Sequence, residues 1–298
     1  MAELEYFLVD VFTQAPFQGN PLAVVMNTCG LSTEAMQAIA REFNLSETTF
    51  VERRAPEIER AEGVRVRIFT TQEELNFAGH PTLGTASVLK LHAAETVAGD
   101  TVALALNAGR IPVRFEGAGL NGTMVQRDPE FGEILNRKEV AGLLGLGIDD
   151  LDSELDPQIV STGTAFAIVV LRSVEALARL RVHQQAATEY LRARAARWFY
   201  VLARDEGTGL DPRLAFRARM QFYGGEDPAT GSAAGCAIGY LVKHKAADSN
   251  ALVHVRQGVE MGRPSDLYLS ACAVDSNVTD VRVGGSTVPV ANGWIFLP

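Results

Sequence analysis

The chain has 298 residues, 47% hydrophobic and 21% charged, the balance of a soluble globular protein long enough for two ordinary domains. A formal net charge of -9 without any block of Lys or Arg argues against a nucleic-acid partner and leaves a small molecule as the expected one. The opening MAELEYFLVD has neither the basic segment nor the apolar core of a secretory signal, and no apolar run reaches the roughly 20 residues that span a bilayer. Cys29, Cys236 and Cys272 lack CxxC spacing, so the expectation is a cytoplasmic protein with no membrane association, disulfide framework or zinc site.

In chain order, a strand is expected from Leu4 to Phe12, followed by the turn-rich FTQAPFQGNP with Pro16, Gly19 and Pro21. Ser32 can cap a helix whose apolar Met36, Ile39, Ala40 and Phe43 fall at i, i+3, i+4 and i+7 and which ends near Asn44. A strand follows from Thr48, and VRVRIF at 64–69 alternates as if one face were buried and the other wet. Small, helix-compatible residues from Gly79 to Leu91 predict a buried helix. Asn136 with Glu139 reads as a capping pair ahead of Val140, Leu143 and Leu144. FRARMQFY at 216–223 is a further alternating strand, and GSAAGCAIGYLV from Gly231 a second tightly packed helix.

The last two segments repeat an earlier pair. A shift of 152 places Arg65 on Arg217, Arg67 on Arg219, Glu74 on Glu226, Gly79 on Gly231 and His80 on Ser232. It also lays the helix at 33–43 on 185–195 and the strand near 48–52 on WFYVLA from Trp198, while GNPLAVV at 19–25 echoes GTAFAIVV at 163–170 with an offset of 144. Two copies are too few for a solenoid, so the ordered series predicts a pseudo-symmetric pair of domains meeting near residues 120–130. The closing VPVANGWIFLP is a candidate to return to the first domain.

In both copies a strand runs through a loop to a glycine that opens a helix. The first amides of such a helix are free donors that favour a carboxylate and the enolate-like charge formed when its alpha proton leaves. A lone glycine there is more often only a helix-entry turn; the repetition favours function. Neither loop contains GK[ST], and no GxGxxG follows a strand, so no nucleotide cofactor is implied. His80 can hydrogen-bond substrate, shuttle a proton, or simply bond a nearby carbonyl. Asp227, before Pro228, is either a turn residue or a site residue, and Ser232 either a helix cap or a site residue outside any GxSxG elbow. Glu47 crosses from helix to strand, where a carboxylate faces solvent or a cleft. The 152 shift pairs it with Phe199, so acid–base chemistry would be one-sided.

Taken together, VDVFTQAPFQGNPLAVV, REFNLSETTFV, FAGHPTLGTA, GGEDPATGSAAG and QGVEMGRP resemble the PhzF-like family in order and spacing from about residue 8 to 264. The resemblance implies an α+β protein of diaminopimelate epimerase-like fold: two pseudo-symmetric domains, 1–124 and 125–298, each a sheet curled around a central helix, with the active site between them. It implies a cofactor-independent isomerase similar to trans-2,3-dihydro-3-hydroxyanthranilate isomerase, acting on a small carboxylate-bearing substrate. Glu47 would be the acid–base residue, joined by His80, Asp227 and Ser232, with Asn20, Ser46, Gly79, Thr230 and Gly231 contacting substrate and no metal. Ala78 and Thr230 stand where the related epimerases carry their two cysteines, which disfavours a two-thiol racemase, and Asn76 departs from the residue usual in relatives. A homodimer is compatible with an apolar strand edge. The rival reading is a PhzF-like protein that has become a catalytically silent binding or interaction module.

Overall fold

The computed structural model describes residues 3–209, 211, 213–222, 225–275 and 277–297; Met1, Ala2, Tyr223, Gly224 and Pro298, which belong to segments read above, lie outside the described residues. The chain divides into two compact units, Met1–Val125 with Gly284–Pro298, and Gln126–Val283. The first contains β1 (Glu3–Val11), β2 (Asn20–Val25), α1 (Thr33–Phe43), β3 (Thr48–Glu52), α2 (Pro56–Glu62), β4 (Val64–Phe69), β5 (Glu74–Leu75), α3 (Gly79–His92), β6 (Val97–Ala98), β7 (Thr101–Leu106), β8 (Gly109–Phe115) and β9 (Asn121–Val125). The second contains β10 (Glu130–Ile134), α4 (Arg137–Leu143), β11 (Gln158–Ser161), β12 (Ala165–Leu171), α5 (Val174–Ala178), α6 (Gln184–Arg192), β13 (Trp198–Arg204), β14 (Ala215–Arg219), β15 (Gln221–Phe222), β16 (Gly225–Glu226), α7 (Gly231–Lys243), β17 (Val253–Gln257) and β18 (Ser265–Val274). β19 (Asn277–Phe296) runs on into the first unit, where Glu3 faces Phe296 and Val11 faces Thr287 in an antiparallel ladder with β1. No described helix is long and apolar enough to cross a membrane.

The fold is α+β, and in each unit a curled sheet wraps a central helix. α3 is buried from Gly79 to Leu89 and touches β1, β2, β3, β7, β8 and β9; α7 is buried along nearly its whole length and touches β11, β12, β13 and β18. A helix with no polar stripe has to be enclosed on all sides. The other face of each sheet is covered by amphipathic helices. Ser32 caps α1 by accepting from Ala35 N at 3.2 Å, and Asn44, left-handed at φ 51°, ends it. Met36, Ile39 and Ala40 then pack on Leu4, Val25, Phe50 and Phe69. In the second unit Val140, Leu177, Ala187 and Leu191 pack on Val169, Phe199 and Val201. Strands covered on both faces read as apolar runs, and AFAIVVL of β12 is one.

Ladder by ladder, the units repeat. β2–β3 and β12–β13 are parallel, β3–β4 and β13–β14 antiparallel, β4–β7 and β14–β17 parallel, and β7–β8 and β17–β18 antiparallel. The shift is not uniform, however. Ala23 faces Thr48 where Ala167 faces Phe199, and Phe50 faces Arg67 where Val201 faces Arg219. β13 is therefore offset from β3 by 151, not 152, and Trp198 rather than Phe199 matches Glu47; α6 likewise begins at Gln184, 151 and not 152 positions after Thr33, so the residue that restores 152 at Arg219 lies between β13 and β14. Two further expectations change. The strand read at 216–223 stops at Arg219, and Gln221–Phe222 instead forms a separate ribbon with Gly225–Glu226. The outward arginines of the alternating strands are not wet: the Arg67 side chain is 15% and that of Arg219 5% exposed, because each is forked onto a glutamate.

Gly235 on α7 lies where a Cβ would come within 2.0 Å of Gln126 Oε1. Gln126 cannot swing aside freely, since Thr162 Oγ1 donates to it at 2.7 Å and its own Nε2 donates to Gly231 O at 2.8 Å. Gly235→Ala is expected to cost about 1–3 kcal/mol through overpacking, read as a lower urea midpoint. Gly142→Ala, exposed in α4 with open space around it, should instead gain roughly 0.5–1 kcal/mol.

Candidate functional site

In the first unit, the left-handed turn at Asn44 directs the chain through exposed Ser46 into β3 and leaves Glu47 immediately before the strand, its side chain 17% exposed. The Glu47 Oε2 atom lies 3.6 Å from Nε2 of His80, the second residue of α3. The imidazole is 4% exposed; its Nδ1 meets the side-chain amide of fully buried Asn20 at 3.2 Å, and the ring also bonds the backbone of Pro21. Burial pushes the His80 pKa down to about 3, against the weaker opposing effect of the Pro21 bond. The ring is neutral near pH 7, so the Glu47 contact is not an ion pair despite its length falling within ion-pair range. Ala78 offers α3 no side-chain cap. The amides of Gly79 and His80 have no partner within the helix, and Pro81 supplies none.

In the second unit, Arg219 donates to both oxygens of Glu226, from Nε and Nη2 at 2.7 Å each, and pins the loop ahead of α7. Asp227 N then bonds Met220 O at 3.0 Å, and the turn through Pro228 and Ala229 reaches Thr230. A threonine in that position commonly caps the helix. Here its hydroxyl donates to Asp227 Oδ2 at 2.5 Å instead, leaving the Gly231, Ser232 and Ala233 amides without a side-chain cap. Asp227, Thr230 and Gly231 are buried and Ser232 is partly exposed. Cys236 lies deep in α7, and burial raises its thiol pKa to about 11, so it is no nucleophile.

Among the residues singled out from sequence, Glu47, His80, Asn20 and Gly79 gather at the start of α3, and Asp227, Thr230, Gly231 and Ser232 at the start of α7. Ser46 neighbours Glu47 but is exposed. Sequence reasoning passed over Gln257. Its Nε2 donates to Asp227 O at 2.8 Å and to Thr230 Oγ1 at 2.9 Å, while its Oε1 accepts from Thr230 N at 3.1 Å and Tyr200 OH at 3.0 Å. A signal was present: in VHVRQ the alternation puts Gln257 on the same buried face as Val253 and Val255, directly before the glycine of QGVEMGRP.

A family model described as phenazine biosynthesis-like protein matches residues 9–293. The chain is 37% identical over 310 residues to an uncharacterized isomerase of Mesorhizobium japonicum, covering 100% of both chains. It is 35% identical over 296 residues to trans-2,3-dihydro-3-hydroxyanthranilate isomerase of Pseudomonas aeruginosa, covering 98% of this chain and 99% of that one. A solved phenazine biosynthesis protein of Bacillus anthracis, of the PhzF family, superposes with a TM-score of 0.86 at 24% identity, covering 100% of both chains. A hydroxyproline epimerase from Agrobacterium vitis does so with a TM-score of 0.61 at 12% identity, covering 98% and 92%, a likeness of fold alone.

The buried neutral imidazole has a measurable consequence. Below pH 6.5 the unfolded chain binds a proton at residue 80 that the folded chain refuses until about pH 3. The site therefore lowers stability as pH falls between those values, by about 1.4 kcal/mol per unit once well below 6.5, and has no effect on the slope above it. NMR titration should show the His80 ring unprotonated from pH 8 to 5, and urea unfolding of His80→Asn should fall less steeply over the acid range than the parent.

Proposed function

This chain belongs to the phenazine biosynthesis-like family and is a PhzF-like isomerase, and from that premise we propose that Glu47 carries its proton transfer, on a small carboxylate- or amino-acid-like substrate and without a cofactor. The observation that supports this most directly is the contact of a largely enclosed carboxyl, Glu47, with the buried neutral ring of His80 beside an uncapped helix start.

As carboxylate, Glu47 takes a proton from one substrate carbon. The electron pair left behind spreads into the adjoining π system toward the substrate's own carboxylate. As carboxylic acid, Glu47 returns the proton to a second carbon, so no atom or electron is gained or lost. The Gly79 and His80 amides suit the negative charge that develops between the two steps, because donors already fixed in place need no reorganisation. Neutral His80, anchored to Asn20 and Pro21, orients Glu47 and does not compete for its proton. Asp227 and Ser232 are proposed as further catalytic groups, with Asn20, Ser46, Gly79, Thr230 and Gly231 as the substrate-binding set. The named relatives make trans-2,3-dihydro-3-hydroxyanthranilate the first compound to assay.

Glu47→Gln keeps size and most hydrogen bonding but removes basicity. Turnover of trans-2,3-dihydro-3-hydroxyanthranilate should drop at least about 100-fold. Incorporation of deuterium from heavy water, followed by mass spectrometry, should drop in parallel while binding measured by calorimetry persists. Exchange at the parent rate would transfer the role to Asp227 or His80.

A further inference from the structure

We infer that Gln257 is a positioning residue that sets the direction of the Thr230 hydroxyl and, through it, holds Asp227 Oδ2 as a hydrogen-bond acceptor. The inference rests on the assignment of Asp227 to the reaction. Two backbone groups of fixed polarity decide how the Gln257 amide lies. The Asp227 carbonyl can only accept, so it faces Nε2, and the Thr230 N–H can only donate, so it faces Oε1. The second hydrogen on Nε2 points to Thr230 Oγ1, and that hydroxyl, already an acceptor, turns its single hydrogen onto Asp227 Oδ2. Tyr200 completes the chain as a donor to Oε1, and burial raises its pKa, which keeps it protonated.

The four side chains lie almost entirely out of water: Tyr200 and Gln257 are 0% exposed, Thr230 8% and Asp227 9%. Buried networks of this kind hold one arrangement because any reversed member strands a donor or acceptor. Gly258 seats the glutamine under the turn. Its φ is +77°, and a Cβ there would lie 2.4 Å from Arg263 O and 2.7 Å from Pro228 O, backbone atoms that cannot step aside.

The test is Gln257→Glu, which keeps the shape but replaces the donor by a second acceptor. The expected result is a folded protein whose kcat on trans-2,3-dihydro-3-hydroxyanthranilate falls up to about 100-fold, the scale of a misplaced reacting group, with KM within roughly threefold. Its crystal structure should show the Thr230 Oγ1 to Asp227 Oδ2 separation, 2.5 Å in the parent, lengthened beyond hydrogen-bond reach. An unchanged kcat, a raised KM at constant kcat, or an intact Thr230–Asp227 bond overturns the inference. Should Gln257→Glu fail to fold, Thr230→Val must lose kcat and Thr230→Ser must retain it; parent-like turnover by Thr230→Val overturns the inference equally. A parent inactive on this compound would count against the substrate proposed above, and the crystal structure would still decide the role of Gln257.

Discussion

A sheet closed around a helix that has no polar face is the constraint on which each unit depends. Enclosure demands small side chains along the helix and leaves few polar atoms inside, several of which meet one another or the backbone: Thr49 with Thr85 at 2.8 Å, Ser87 with Thr287 at 3.0 Å, and Thr82 with Ala78 O at 2.7 Å. Polar backbone is then left over at the helix ends. The first-turn amides of α3 and α7 carry no side-chain cap, so the packing that hides each helix leaves its positive end without one.

The loop ahead of each central helix is fixed by the same device. Arg67 forks onto Glu74 at 2.9 and 2.6 Å, and Arg219 onto Glu226 at 2.7 Å twice, 152 positions later. The second pair is the more deeply buried, and Arg219 additionally donates to Leu177 O at 3.0 Å. Enclosed ion pairs add little net stability but tolerate few geometries. They are suited to holding a loop in register, which is what the glycine-led helix starts need.

Much of this was legible from local pattern. The cap at Ser32, the stop at Asn44, the cap at Asn136 and the alternation of VRVRIF each depend on neighbours within a few residues. The small-residue runs from Gly79 and Gly231 announced enclosed helices because no other helix tolerates that composition. What escaped depends on partners far away. Asn20 meets His80 across 60 positions, Gln257 meets Asp227 across 30, and Gln126 meets Gly231 across 105. The break at Met220 was hidden because QF continues the alternation of the preceding strand; only the fold-back of Gly225–Glu226 onto Gln221–Phe222 ends it. The slip of β13 was hidden because a loop can absorb a residue without trace in either flanking element.

The aromatic residue at the position matching Glu47 has a stereochemical meaning for the proposed chemistry. Glu47 is matched by Trp198, a residue that cannot exchange protons, so the internal repeat provides no mirror-image base. If Glu47 is the single carrier, as proposed, a proton would leave and re-enter on one face of the substrate, and the same hydrogen could return before water replaces it. Such a catalyst would shift a double bond suprafacially and keep the hand of every untouched centre, whereas inverting a centre would need a second group on the opposite face.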